Sequence, residues 1–198
     1  MDKKERIINL CKSRYEKGDW QYHIKPVVKN ALLLAKKLNA DKEVVEISAY
    51  LHDIGRAHRR KKFLEEQKKF FSSNEHHITG AEETREILQK LNYDEEFIKK
   101  VEHCVLAHRG RREPNPETLE AEIIACADAM AHFDTFPELM ALFFKTTDSF
   151  EEAINGIDQK MNRDWNKKLI LPEAKKIVEV KYKAIKLLLN STKEYLNR

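Results

Sequence analysis

The chain has 198 residues and a mass of 23.3 kDa, with 41% hydrophobic and 35% charged residues, a size at which one domain buries roughly 70% of its unfolded surface without disulfide staples. This balance argues against wholesale disorder, which goes with a poorer apolar set, and against membrane insertion, which needs about eighteen consecutive apolar residues. The 37 Lys and Arg against 33 Asp and Glu leave a net charge of +4, short of the concentrated positive charge of a dedicated nucleic-acid binder and suited to a small anionic substrate.

Five glycines and five prolines fall almost entirely between stretches whose apolar residues recur at three and four positions. The chain therefore reads as all-α, with helices expected at about 2–16, 20–38, 42–53, 60–71, 76–91, 94–108, 117–133, 137–145, 149–166 and 172–196. No segment alternates like a half-buried strand. The opening MDKKERIINL lacks the apolar stretch of a signal peptide, so a cytoplasmic address is expected. Cys11, Cys104 and Cys126 are too widely separated for a disulfide framework or a zinc knuckle, and read as reduced core thiols.

In the second helix, His23 stands four residues before Val27, which begins the stripe Val27, Ala31, Leu34 and Leu38, so it points to the core side. His52-Asp53 ends the apolar stretch Val45, Ile47, Ala49 and Leu51, and Ile54-Gly55-Arg56 follows. A titratable pair is costly there unless something binds it. His108 closes its helix, and His103 is offset from it by about 140° and reads as structural. Arg112-Glu113-Pro114-Asn115-Pro116 reads as an exposed loop, because each proline pushes its predecessor out of the α region. Asp128 lies on an otherwise apolar face between Ile124 and Ala131, and a buried carboxylate needs a cation. Asp148 with Glu151 has the form of a capping box, and Pro172 suits a first helical turn. Leu187, Leu188 and Leu189, after Ile177, Val180 and Ile185, read as core packing. No repeat or linker divides the chain, so one domain over 1–198 is expected. Imidazoles and carboxylates converging from separate helices suit a metal site inside a bundle.

His23, then His52-Asp53, then Asp128 resemble the signature of the HD domain superfamily of metal-dependent phosphohydrolases, which are all-helical. The resemblance spans about residues 20–135, leaving about 136–198 as a C-terminal helical extension, and His76 and His108 match the two-metal branches of that superfamily. There a histidine lies four residues before a glycine that opens a helix, as His76 does before Gly80, with His77 one step away as the alternative. The resemblance implies that His23, His52, Asp53 and Asp128 hold one metal and that Asp53 bridges to a second held by His76 and His108. Manganese or iron is favoured by this mix of donors, with magnesium, nickel, cobalt and zinc left open.

Asp53 and Arg56 are the expected catalytic residues, Arg56 taking the place of a lysine common in the family. Arg56, Arg109 and Arg111 are the expected substrate contacts, because a guanidinium grips phosphate through two donors. The basic runs Arg59, Arg60, Lys61 and Lys62, and Arg109, Arg111 and Arg112, suit a substrate with more than one phosphate or a diester. His58 and His132 are set aside as surface or core residues, and Met161–Lys168 either covers the site or caps the fold. No Gly-Tyr-Pro follows His108, which argues against a cyclic-dinucleotide phosphodiesterase of that type. The resulting expectation is a metal-dependent phosphohydrolase acting on a nucleotide or related phosphate ester, with no membrane or nucleic-acid partner and a homodimer left open. The alternatives are a metal-binding regulatory module with little turnover and a nucleic-acid-binding helical protein.

Overall fold

Capping side chains set where several of the helices begin. In the computed structural model, which describes residues 2–56, 76–110 and 113–196, α1 spans Lys3–Arg14, α2 Lys25–Leu38 and α3 Lys42–Leu51. After them come α4 at His76–Lys90, α5 at Glu95–Ala107, α6 at Leu119–Asp134 and α7 at Phe136–Thr146. The C-terminal part holds α8 at Phe150–Arg163 and α9 at Pro172–Leu196. Asp41 accepts from the backbone amides of Glu43 and Val44, Asp94 from Phe97 and Thr118 from Ala121, each satisfying donors that the first turn leaves unpaired. The described residues contain no strand, and none of their helices is long and apolar enough to cross a membrane.

The middle of the fold is α6. Ile123, Ile124, Ala125, Cys126, Ala127, Ala129, Met130 and Ala131 are all fully buried, so this helix is apolar around its whole circumference and must be enclosed. Helices α2, α3, α5 and α9 enclose it. Cys11, Cys104 and Cys126 are buried free thiols, and burial pushes them up to about 12, about 12 and about 11, which keeps them protonated and unreactive.

Several boundaries differ from the sequence expectation. The helix expected over 20–38 enters through a short turn at Lys17–Asp19 and a π-helical turn at Trp20–Ile24. The one expected over 149–166 ends at Arg163 and continues as a second π turn, Asp164–Lys168. Each π turn adds a residue to the helical circuit and so re-aims the side chains on it, and such turns often lie at functional sites. Helix α3 stops at Leu51, which leaves His52 and Asp53 in a turn.

The cap of α8 is Ser149, whose hydroxyl accepts from the Glu152 amide at 3.1 Å, in place of the expected pair Asp148 and Glu151. Ser149 is the last residue with extended backbone, so its oxygen reaches the first turn and that of Asp148 lies one residue too early. In α9, Ala174, Val178, Ile185 and Leu189 are buried while Val180 and Leu187 are 80% and 74% exposed, because one helix turns only a single stripe to the core. The expected core role of Leu187, Leu188, Ile177 and Val180 is therefore corrected to an exposed or half-exposed one. The segment 113–118 is non-helical and largely exposed, as its prolines require. His58, the run Arg59 to Lys62, the helix expected over about 60–71, Arg111 and Arg112 lie outside the described residues.

Candidate metal centre

Five segments meet around Asp128, inside the C-terminal half of α6. His23 comes from the first π turn, His52 and Asp53 from the turn after α3, His76 from the start of α4, His108 from the end of α5, and Asp128 from α6. Their nearness depends on two glycines. Gly55 is packed so closely on α4 that a Cβ there would stand 2.3 Å from the His76 carbonyl oxygen and 2.8 Å from the Gly80 amide nitrogen. On the other side of this contact, a Cβ at Gly80 would stand 3.3 Å from the Gly55 nitrogen. The absence of side chains at both positions lets the His52-Asp53 turn lie directly against the helix that carries His76.

Asp53 is at the middle of the cluster. Its Oδ2 faces the Nε2 atoms of His23 at 3.3 Å and His52 at 3.7 Å, while its Oδ1 faces those of His76 and His108, both at 3.5 Å. Each oxygen thus has its own imidazole pair. His23 and His52 bring their Nε2 atoms to 3.2 Å of each other, and His76 and His108 to 3.3 Å. Two donors held about 2.1 Å from one cation stand roughly 3.0–3.4 Å apart for octahedral to tetrahedral angles. The spacing therefore fits ligation. Asp128 joins the first group through its Oδ1, 3.5 Å from His23 Nε2.

The histidines are oriented from behind. His52 Nδ1 donates to the Ala49 carbonyl at 2.9 Å and His108 Nδ1 to the Val105 carbonyl at 2.6 Å, which fixes the proton there and turns the lone pair of each Nε2 inward. Burial holds both imidazoles below their ordinary pKa, His108 well below, so they are neutral donors. Burial opposes the charge of Asp53, and Arg56 first, then His52, overcome it and hold the carboxyl well below its usual range. Asp128 is likewise held well below against burial, chiefly by Lys168. Asp53 Oδ1 is buried and accepts no hydrogen bond among the described residues, although Arg56 Nε forms an ion pair with it from the rim at 3.2 Å. A buried anionic oxygen in this state is the atom that a cation would satisfy.

Three sets of side chains therefore have metal-ligand spacing: His23, His52 and Asp53; Asp53, His76 and His108; and His23, Asp128 and His132. His77 is buried beside His76 but belongs to none of these sets. Accordingly, His76→Ala is expected to reduce bound manganese by one equivalent per chain and His77→Ala to leave it unchanged, as measured by elemental analysis after gel filtration. Unequal loss in the opposite sense would put the ligand at residue 77.

Arg56 stands at the rim, its side chain 55% exposed and its Nε 3.2 Å from Asp53 Oδ1. Arg109 follows His108 and is half-buried. His103 accepts the backbone amide of Glu117 at 3.0 Å, a structural contact with the loop before α6, as its helical offset from His108 requires.

A second tier of residues was not anticipated. His132, set aside on sequence grounds, lies next to the cluster with its ring stacked on His23 at 5.4 Å and its Nε2 3.8 Å from Asp128 Oδ1. Its Nδ1 is 2.9 Å from Asp164 Oδ2, and Lys160 pairs with the same carboxylate. Lys168 pairs with Asp128 Oδ2. The position of His132, four residues after Asp128 on one helix, was a readable signal, whereas nothing local places Asp164 or Lys168 against α6. The segment Met161–Lys168 both borders the site and anchors the fold, because Trp165 stacks on Tyr182 of α9 at 4.2 Å.

A family model described as HD domain matches residues 20–132, more than half of the chain and the segment that carries all six residues of the expected ligand set. The chain belongs to the HD domain family. It is 30% identical over 133 residues to a tRNA (cytidine(56)-2'-O)-methyltransferase of Picrophilus torridus, a match covering 62% of this chain and 34% of that protein. A protein of Clostridium beijerinckii described as uncharacterized is 30% identical over 82 residues, 41% of this chain and 46% of its own length. The HD chain thus spans less than half the length of either relative, and the methyltransferase name belongs to that protein. A crystal structure titled "predicted HD superfamily hydrolase", from an uncultured Thermotogales bacterium, superposes with a TM-score of 0.59 over 98% of this chain and 91% of that one, at 20% identity. At that identity the likeness establishes a shared fold, which includes the helices beyond the HD segment.

Proposed function

We propose that this HD domain is a two-metal phosphohydrolase acting on a nucleotide or related small phosphate ester. The observation that carries the reading is the position of Asp53, whose two oxygens face two separate imidazole pairs, as a carboxylate shared by two cations would. His23, His52, Asp53 and Asp128 would hold one divalent ion, and Asp53, His76 and His108 the other. The donor set of imidazoles and carboxylates, together with an Asp53 Oδ1 that accepts no hydrogen bond among the described residues, fits manganese or iron in preference to a structural zinc. Ions bound there supply Lewis acidity toward phosphoryl oxygens and an acidified water as nucleophile.

The chain's own residues do the rest. The carbonyls of Ala49 and Val105 hold His52 and His108 in the tautomer that leaves Nε2 free to coordinate. Ionised Asp53 and Asp128 supply the negative charge that retains the cations. Arg56, paired with Asp53 at the rim, and Arg109 in the turn after His108 would take the phosphate through charge-assisted hydrogen bonds.

The test is metal analysis of the purified protein, melting with and without chelator, and a panel of nucleotides and phosphate esters with added manganese. Chelation is expected to lower Tm by roughly 5–10 °C and manganese to restore it, since a ligand at about a hundred times its Kd adds about 2.7 kcal/mol. At least one ester is expected to be hydrolysed only by the loaded protein. A melting curve indifferent to every transition metal would sink the reading.

A further inference from the structure

The HD segment ends at residue 132, yet a lysine from beyond it reaches into the ligand cluster. Lys168, the last residue of the second π turn, is only 8% exposed, and its ammonium pairs with Asp128 Oδ2. Its backbone is held from three sides. The Cys126 thiol donates to its carbonyl at 3.5 Å. Gly110, at φ 76°, lies so near that a Cβ there would be 3.2 Å from both Cα and Cγ of Lys168. The stacked pair Trp165 and Tyr182 ties the same turn to α9. The neighbouring half-buried lysine, Lys160, is taken up by Asp164 and His132, whereas Lys168 pairs with the ligand candidate Asp128.

We propose that Lys168 is the phosphate anchor of this site, contributed by the C-terminal helices and independent of the HD signature. The proposal rests on the phosphohydrolase reading and adds a residue to it. In the chain alone, Asp128 and Lys168 neutralise each other. Asp128 faces His23 with Oδ1 and meets Lys168 with Oδ2, so a divalent ion held by Oδ1 would share the one carboxylate with the lysine and leave this buried site short of an anion. A phosphoryl group held at the cluster brings that anion, and a compact ammonium meets it as a point charge. Gly110 joins the two halves of this arrangement, because it follows His108 and Arg109 and its missing side chain is what lets residues 167 and 168 approach.

The experiment measures binding of inorganic phosphate to the manganese-loaded full chain by titration calorimetry, for the wild type, Lys168→Gln and Lys168→Arg. Gln keeps a donor for Asp128 and drops the charge, and Arg keeps the charge. Lys168→Gln is expected to weaken phosphate binding by about ten- to a hundredfold, the usual worth of a charge-assisted hydrogen bond, and Lys168→Arg by less than about fivefold. Manganese content and helical circular dichroism should match in all three. With a hydrolysed ester, the Gln variant should show a raised KM and a smaller change in kcat.

Phosphate affinity unchanged in Lys168→Gln, or no phosphate binding by the loaded wild type, overturns the anchor. Phosphate affinity lost on substitution in a protein that hydrolyses no ester supports the anchor and overturns the activity. Hydrolysis with phosphate affinity and KM unmoved does the reverse. Should Lys168→Gln not fold, Lys168→Met decides by the same readout: phosphate affinity lost in folded, manganese-loaded protein supports the anchor, and affinity unchanged overturns it.

Discussion

Asp53→Asn is expected to reduce hydrolysis of the best ester by more than about a hundredfold while leaving the helical circular dichroism intact. Losing a mere outer partner of a metal ligand typically costs ten- to a hundredfold, and Asp53 faces all four imidazoles at once. Asparagine preserves the shape but replaces one oxygen by an NH2 group that cannot bind a cation, and it removes the negative charge that two ions would share. The competing explanation is visible in the same structure, because Asp53 also pairs with Arg56 at 3.2 Å. If that pairing were its whole role, the substitution would cost about 1 kcal/mol or less, given the half-exposed arginine, and would leave chemistry and metal content near normal. Parallel measurement of bound manganese, circular dichroism and turnover separates the two. Full activity with full metal occupancy would refute the shared-carboxylate arrangement.

Gly55→Ala is expected to be the most disruptive glycine-to-alanine substitution, because its Cβ would make the closest contact of the five glycines. A methyl group at this position would meet backbone atoms on α4, the His76 oxygen at 2.3 Å and the Gly80 nitrogen at 2.8 Å, as well as Thr79 Oγ1 at 2.9 Å. Backbone cannot rotate aside as a side chain can, so the turn and the helix must part. Overpacking of this kind costs about 3 kcal/mol or more, which lowers Tm by roughly 6–12 °C in a protein of this size. The loss should extend beyond stability, since parting the two elements carries Asp53 away from His76 and His108 and should lower manganese stoichiometry by one. Gly18→Ala is the control: nothing lies within 4 Å of a Cβ there, and melting and metal content should be unchanged. A Gly55→Ala protein with wild-type Tm and full metal would show that the close approach does not hold the site together.

The helical class was legible because apolar residues at three- and four-residue spacing leave no other way to bury them, and the run Ile123 to Ala131 announced an enclosed helix by being apolar on every face. The boundaries were less legible. A π turn changes the register by one residue without changing composition, so neither Trp20–Ile24 nor Asp164–Lys168 stood out from the helices they join. The exposure of Leu187 and Val180 was hidden for a related reason, since α9 is apolar on two stripes and only the partner helices decide which one is covered.

By itself the sequence determined that His52-Asp53 and Asp128 need a partner: an imidazole or carboxylate on an apolar helical face is costly, and that cost is local. What the tertiary structure alone decided is who meets whom. It turned His76 and not His77 toward Asp53, because the Gly55 and Gly80 contact fixes how α4 is presented to the turn. It brought His132 beside His23, and it carried Asp164 and Lys168 across about thirty to forty residues of sequence to Asp128 and its neighbour. Such long-range pairs leave no periodic trace in the chain, because their spacing is set by how whole helices pack and not by the 3.6-residue repeat within any one of them.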